Sequence, residues 1–205
     1  MQNSSEQRLN TLIALIEGAI FASPVPLSLT KIKQQLLVEH KASHQQVLDA
    51  IAEITAFYQH RAIQLVEVAS GYRFQVIDSV ANDIAVLFQE KAPKYSRAIL
   101  ETLALIAYKQ PITRGEIESI RGVSVSSHTI KSLVERDWVK VVGHKEVPGR
   151  PALLATTKEF LDYFSLKSLA QLPQLMPLSE SSLTALDAQV QTNEENPQIR
   201  ETETK

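Results

Sequence analysis

The amino-acid sequence predicts a mainly α-helical chain with small β wings, an α+β fold made of two tandem winged helix-turn-helix domains and a disordered C-terminal tail. Three observations predict it. Helical apolar periodicity followed by paired strand-rich segments occurs twice in one order: helix, helix, helix, hairpin. The two occurrences share landmarks. Pro26-Leu27-Ser28 is answered by Pro111-Ile112-Thr113, and Ser43 by Ser126, as in a tandem duplicate. Beyond about Pro173 the chain turns to Ser, Gln, Glu, Asn and Thr with little periodicity, the composition of a disordered acidic tail.

Leu9, Leu12, Ile13, Ile16, Ala19 and Ile20 recur at helical spacing, and Pro24 and Pro26 end that first helix. Ser28 or Thr30 caps a short second helix carrying Ile32, Leu36 and Leu37. Ser43 opens the third, with Gln46 three residues on in a capping-box arrangement and Val47, Ile51, Ile54 and Tyr58 as its apolar stripe. Ile63–Val68 and Tyr72–Val76 flank Ser70-Gly71 as a hairpin. Asp78–Glu90, with Val80, Ile84 and Leu87, reads as a helical connector.

In the second half, Ser96 caps a helix with Ile99, Leu100, Leu103, Ile106 and Ala107 on one side. Thr113 and Glu116 form a capping box for a short helix, and Gly122 suits its C-terminal cap at positive φ. Ser126 starts a third helix with Ile130, Leu133 and Val134 facing inward. Trp138–Val142 and Pro151–Ala155 bracket a turn holding Gly143 and Gly149, a second wing. Thr157 caps a closing helix with Phe160, Leu161 and Phe164. The expected domains are 1–90, 91–173 and a tail at 174–205.

The 205 residues are 44% hydrophobic and 21% charged, within the soluble globular range. There is no cysteine, which removes disulfides, thiolate metal sites and cysteine nucleophiles. The run Leu12–Ala22 is interrupted by Glu17, has no basic region before it, and is too short to span a bilayer. A cytoplasmic location without membrane attachment is expected. Net charge is −2, unlike the basic balance of a dedicated DNA binder. It is unevenly spread: residues 1–93 carry net −2, residues 94–158 net +5, and residues 159–205 net −5.

Signatures of enzymes are missing. The six glycines form neither a dinucleotide fingerprint nor a phosphate-cradling loop. His40 and His44 have i, i+4 spacing, but a helix break falls between them, so a metal site is not expected. Ser127-His128 are adjacent, which does not aim an imidazole at a hydroxyl. A hydrolase is therefore disfavoured and no cofactor is expected. The first third helix, from His44 to Glu53, has no Lys or Arg and two acids, a poor face for phosphates. The second domain offers Lys131, Arg136, Lys140, Lys145 and Arg150, diluted by Glu135, Asp137 and Glu146. Weak or indirect DNA contact is the expectation. Pro148-Gly149-Arg150-Pro151 reads as a tight wing turn rather than a minor-groove hook, because Glu146 and Val147 precede it.

The ordered motifs are specific. They run Ile16–Ser23, Gly71-Tyr72-Arg73-Phe74, Pro93–Ala98, Leu100–Ile117, Ile120–Val123, Val147–Pro151, Thr156-Thr157, Phe160-Leu161, Leu166–Leu169 and Leu172-Pro173. From about Leu12 to Pro173 the chain resembles the segregation and condensation protein B (ScpB) family. Leu154 stands where that family often has Tyr, and Ser165 where it often has Gly.

The resemblance implies a non-enzymatic subunit of a condensin-like complex acting in chromosome condensation and partition during cell division, nucleoid-associated in the cytoplasm. It implies homodimerisation chiefly through the N-terminal domains and binding of the kleisin ScpA, which bridges SMC ATPase heads. The apolar first helix supplies dimer candidates Ile13, Ile16, Ile20 and Phe21. For the kleisin, Tyr108, Gln110 and Arg114 flank the Pro111 turn, Arg121 follows the short helix, and Arg150 sits in the wing; Tyr and Arg often anchor interfaces. The alternative is a winged-helix transcription regulator.

Overall fold

A computed structural model describes residues 2–88 and 95–174. The expected boundary at 90/91 and the expected tail beyond Gln174 lie outside the described residues. Two winged helices follow one another, each with its own buried cluster.

The first comprises α1 (Gln2–Ala22), α2 (Leu29–Lys31), α3 (His44–Tyr58), β1 (Ile63–Val68) and β2 (Gly71–Val76). Helix α1 begins seven residues before Leu9, the first residue of its expected stripe. Arg8 Nη2 ties it to the His40 carbonyl at 2.9 Å. Ser28 is the cap of α2, accepting from Lys31 N, and the helix widens into a π turn over Ile32–Leu36. The Ser43–Gln46 capping box is complete at the head of α3. Leu12, Ile16 and Ile20 of α1 pack on Val47, Ala50, Ile51 and Ile54 of α3, with Leu65 and Tyr72 closing the cluster.

The first wing is a six-pair antiparallel ladder from Ile63↔Val76 to Val68↔Gly71, turned by Ala69-Ser70. Gly71 pairs within the ladder rather than forming the turn. Its φ of +143° and the Leu27 carbonyl beside it leave no room for a Cβ. Helix α4 (Asp78–Phe88) follows and buries none of its residues.

The second winged helix comprises α5 (Arg97–Lys109), β3 (Ile112–Thr113), α6 (Arg114–Arg121), α7 (Ser127–Glu135), β4 (Val139–His144), β5 (Ala152–Thr156) and α8 (Lys158–Tyr163). Ser96, Thr113, Ser126 and Thr157 all cap as the sequence predicts, and Gly122 takes φ +71° after α6. The strand order is β3-β5-β4. Gly143 lies inside β4 rather than in the turn, at a register shift that leaves Val142 unpaired in the manner of a β-bulge. Ile106, Ile117, Leu133 and Val139 centre this core. Beneath it, Trp138 is ringed by Tyr95, Tyr163 and Phe164 with centroids 5.2, 4.6 and 5.6 Å away.

The duplication shows in detail. Leu27 forms a lone antiparallel bridge to Tyr72 of β2, where Ile112 pairs with Leu154 of β5. In both domains, the residue before the cap of the second helix is stitched to the returning wing strand.

Candidate protein-interaction surfaces

The first surface starts from α1. Its stripe at Leu12, Ile16 and Ile20 is consumed by its own core, and Ile16 is 0% exposed. Ile16 and Ile20 are therefore corrected from dimer candidates to core residues, because a side chain sealed within one chain has no area left for another. Ile13 is half-buried against the same cluster. Phe21 is 71% exposed, its ring edge-on to Phe74 at 6.2 Å. Phe74 in turn meets Tyr58 at 4.9 Å. The Tyr58 hydroxyl donates to Glu17 at 2.5 Å, and that bond, with burial adding to it, raises the phenol's pKa.

Phe21 forms one lip of a groove also lined by Ile20, Pro24, Val25, Ile63 and Phe74. Phe57 is exposed on α3 beneath the Arg61 guanidinium, 4.3 Å from its ring centre. Val25 and Phe57 were not legible as surface apolar residues: one lies in a loop and the other next to a core position in its helix.

The second surface lies around α6 and the second wing. Tyr108 is half-buried on α5. Gln110 points inward: its Nε2 donates to Thr156 Oγ1 at 2.9 Å and its Oε1 accepts from Thr156 N at 2.7 Å. It bolts the end of α5 to β5, which makes Gln110 an internal brace. Arg121 is also internal, with its side chain 11% exposed and Nη2 paired to Glu101 at 2.8 Å. Arg97 and then Arg121 hold the Glu101 carboxyl below its ordinary range. Arg121 thus serves as one half of a structural ion pair. Arg114 and Arg150 remain on the surface. They pair with Glu118 at 2.9 Å and Glu146 at 2.7 Å. Apolar residues are also exposed on this domain: Ile120 in α6, Val123 after it, and Val141, Val142 and Val147 on the wing.

The electrostatics bear on nucleic acid. Lys131 pairs with Glu135 and Lys145 with Glu116, so the second domain's cations on α7 and in the wing are largely met by carboxylates. Lys145, aided by the Thr113 amide and hydroxyl, pulls Glu116 down to about 2. On α3 the exposed residues His44, Gln45, Asp49 and Glu53 include no Lys or Arg. Counterion release from phosphates, the main source of DNA affinity, has little to draw on. Among the described residues no three His, Asp or Glu side chains gather as metal ligands, and no helix is long and apolar enough to cross a membrane.

Comparison with known proteins decides the family. A model of the segregation and condensation complex subunit ScpB matches residues 14–175. The chain belongs to the ScpB family. A segregation and condensation protein B homolog of Coxiella burnetii is 50% identical over 161 residues, 78% of this chain and 77% of the relative. Segregation and condensation protein B of Syntrophotalea carbinolica is 40% identical over 171 residues, 82% and 84% of the two chains. That of Moorella thermoacetica is 38% identical over 181 residues, 87% and 90%. A crystal structure of ScpB from Mycobacterium tuberculosis is 25% identical over 77% of this chain with a TM-score of 0.34, so the assignment rests on the sequence relatives. The expectation of an ScpB-family protein of chromosome segregation and condensation is met.

Proposed function

We propose that this chain is a non-enzymatic subunit of a condensin-like SMC–ScpA–ScpB complex, working in the cytoplasm at the nucleoid in chromosome condensation and partition. It homodimerises through the first winged helix, residues 1–90, and holds the kleisin ScpA with the second, residues 91–173. Through the kleisin it reaches the SMC ATPase heads. Matches over about four fifths of both chains to proteins named for segregation and condensation carry this reading. Exposed apolar side chains support it, Phe21 on the first domain and Ile120 and Val141 on the second, because open apolar area is what protein contact uses.

The test is co-expression with a tagged kleisin followed by light scattering on the purified complex. A stable complex containing two copies of this chain is expected. A chain that elutes alone, without the kleisin, overturns the assignment of partner. A transcription regulator would instead hold a specific DNA site at nanomolar concentration in 200 mM salt, which a gel shift reads directly. The paired cations of the second domain favour weak, sequence-indifferent binding.

A further inference from the structure

In many winged-helix proteins the wing projects freely. Here the tip of the first wing is occupied by the second domain. Ala69 N donates to the Leu166 carbonyl at 3.0 Å, and Ser70 N to Asp162 Oδ1 at 2.9 Å. Asp162 is 5% exposed, a buried carboxylate. Farther along the hairpin, Arg73 Nη2 donates to Ser165 Oγ at 3.0 Å, and Ser165 Oγ donates to Gln75 Oε1 at 3.1 Å. Glu67 and Lys167 complete the set as an ion pair.

The receiving side is a helix end. The Leu166 amide returns to the Leu161 carbonyl at 2.8 Å and the Ser165 amide to the Asp162 carbonyl at 3.2 Å, closing α8 in a Schellman-type turn. Ser165 sits at φ +56°, a conformation that costs a side-chain-bearing residue more than glycine. Its hydroxyl is what reaches the wing.

We propose that the first wing and the turn after α8 form a releasable latch, which fixes the relative orientation of the two winged helices and opens without unfolding either. The contacts named are all polar, and the two apolar clusters share no residue. Hydrogen bonds and one half-exposed ion pair compete with water and salt in a way that a shared core does not. Such an interface holds an orientation yet permits hinge motion. The inference rests on the fold alone and stands whether or not the kleisin is the partner.

Absence of cysteine makes the test direct. Glu53→Cys with Ser119→Cys, both exposed, places one spin label on each domain of the full chain. Pulsed dipolar spectroscopy, with labelled protein diluted into unlabelled, reads their separation. A single narrow distance is expected at low salt. Glu67→Lys should broaden it, and adding Lys167→Glu should restore it. Ser165→Gly relieves the positive φ while removing the hydroxyl, so it should broaden the distance without lowering the melting temperature. That combination separates release from unfolding. A distribution already broad in the parent, or one unmoved by both Glu67→Lys and Ser165→Gly, would overturn the latch. Failure of the charge exchange to restore the distance would overturn the part given to the ion pair.

Discussion

Leu27 and Tyr72 exchange both backbone hydrogen bonds, each at 2.9 Å, and so bind the loop after α1 to the first wing. This bridge explains Gly71 next to it, where an added Cβ would lie 2.2 Å from the Leu27 carbonyl oxygen. Gly71→Ala must break the bridge or move the wing. A loss of about 3 kcal/mol in urea unfolding is expected, from backbone strain and lost pairing. Gly115→Ala, with open space at its Cβ, is the control and should be near neutral. Equal effects of the two would refute this account.

Phe21 tests the first surface. Phe21→Glu should leave thermal stability within about 0.5 kcal/mol, because the ring is already exposed. It should also shift the chain toward monomer in light scattering at tens of micromolar, where the proposed function makes the parent a dimer. Ile16→Glu, by contrast, should unfold the domain. A Phe21→Glu dimer as tight as the parent's would move the contact elsewhere.

The arginines of the second domain divide by burial. Arg121→Ala should cost about 2 kcal/mol of stability, through loss of charge-assisted hydrogen bonds at a nearly buried site. Arg114→Ala and Arg150→Ala break exposed pairs and should cost less than about 0.5 kcal/mol. If the kleisin sits here, these two variants should weaken it in titration calorimetry, by about thirtyfold for a hot spot worth 2 kcal/mol. Unchanged affinity in both would leave the open valines and Ile120 as the contact.

Glu116 gives a pH signature. Its folded pKa, about 2, lies below the ordinary 4.5, with Lys145 the largest cause. A depressed carboxylate stabilises the fold fully above its unfolded value and loses that contribution as pH falls toward its folded one. Glu116→Gln keeps a capping oxygen but not the charge. It should melt lower than the parent at pH 7, and the gap should close between pH 4.5 and about 2. A constant gap across that window would assign the effect to geometry alone.

Much of this was legible in the chain because it is local. Ser43 with Gln46 and Thr113 with Glu116 announce their helices within four residues, and Gly122 announces a stop. What failed was orientation. Ile16 and Ile20 satisfy an apolar stripe that could face a core or a partner, and periodicity does not choose. Gln110 looks like a solvent-facing turn residue until Thr156, 46 positions away, takes its amide. The pairing of Ser70 with Asp162 spans 92 residues, beyond any pattern a window can hold. Loop closure over that length leaves no local trace in sequence. Gly143 reads as a turn because its bulge depends on the partner strand.

The two wings differ in what their tips touch, and this governs where the chain accepts foreign sequence. Exposed hairpin tips are usually the safest places to insert a tag or a fluorescent reporter. The second wing follows that rule, since Lys145–Arg150 is open throughout. The first does not. Ala69 and Ser70 spend their amides on the second domain, so lengthening that turn by even a few residues would pry the hairpin from its seat. Of the two hairpins, only the second can be lengthened without breaking a contact between the domains, and a label there would sit on the proposed kleisin surface.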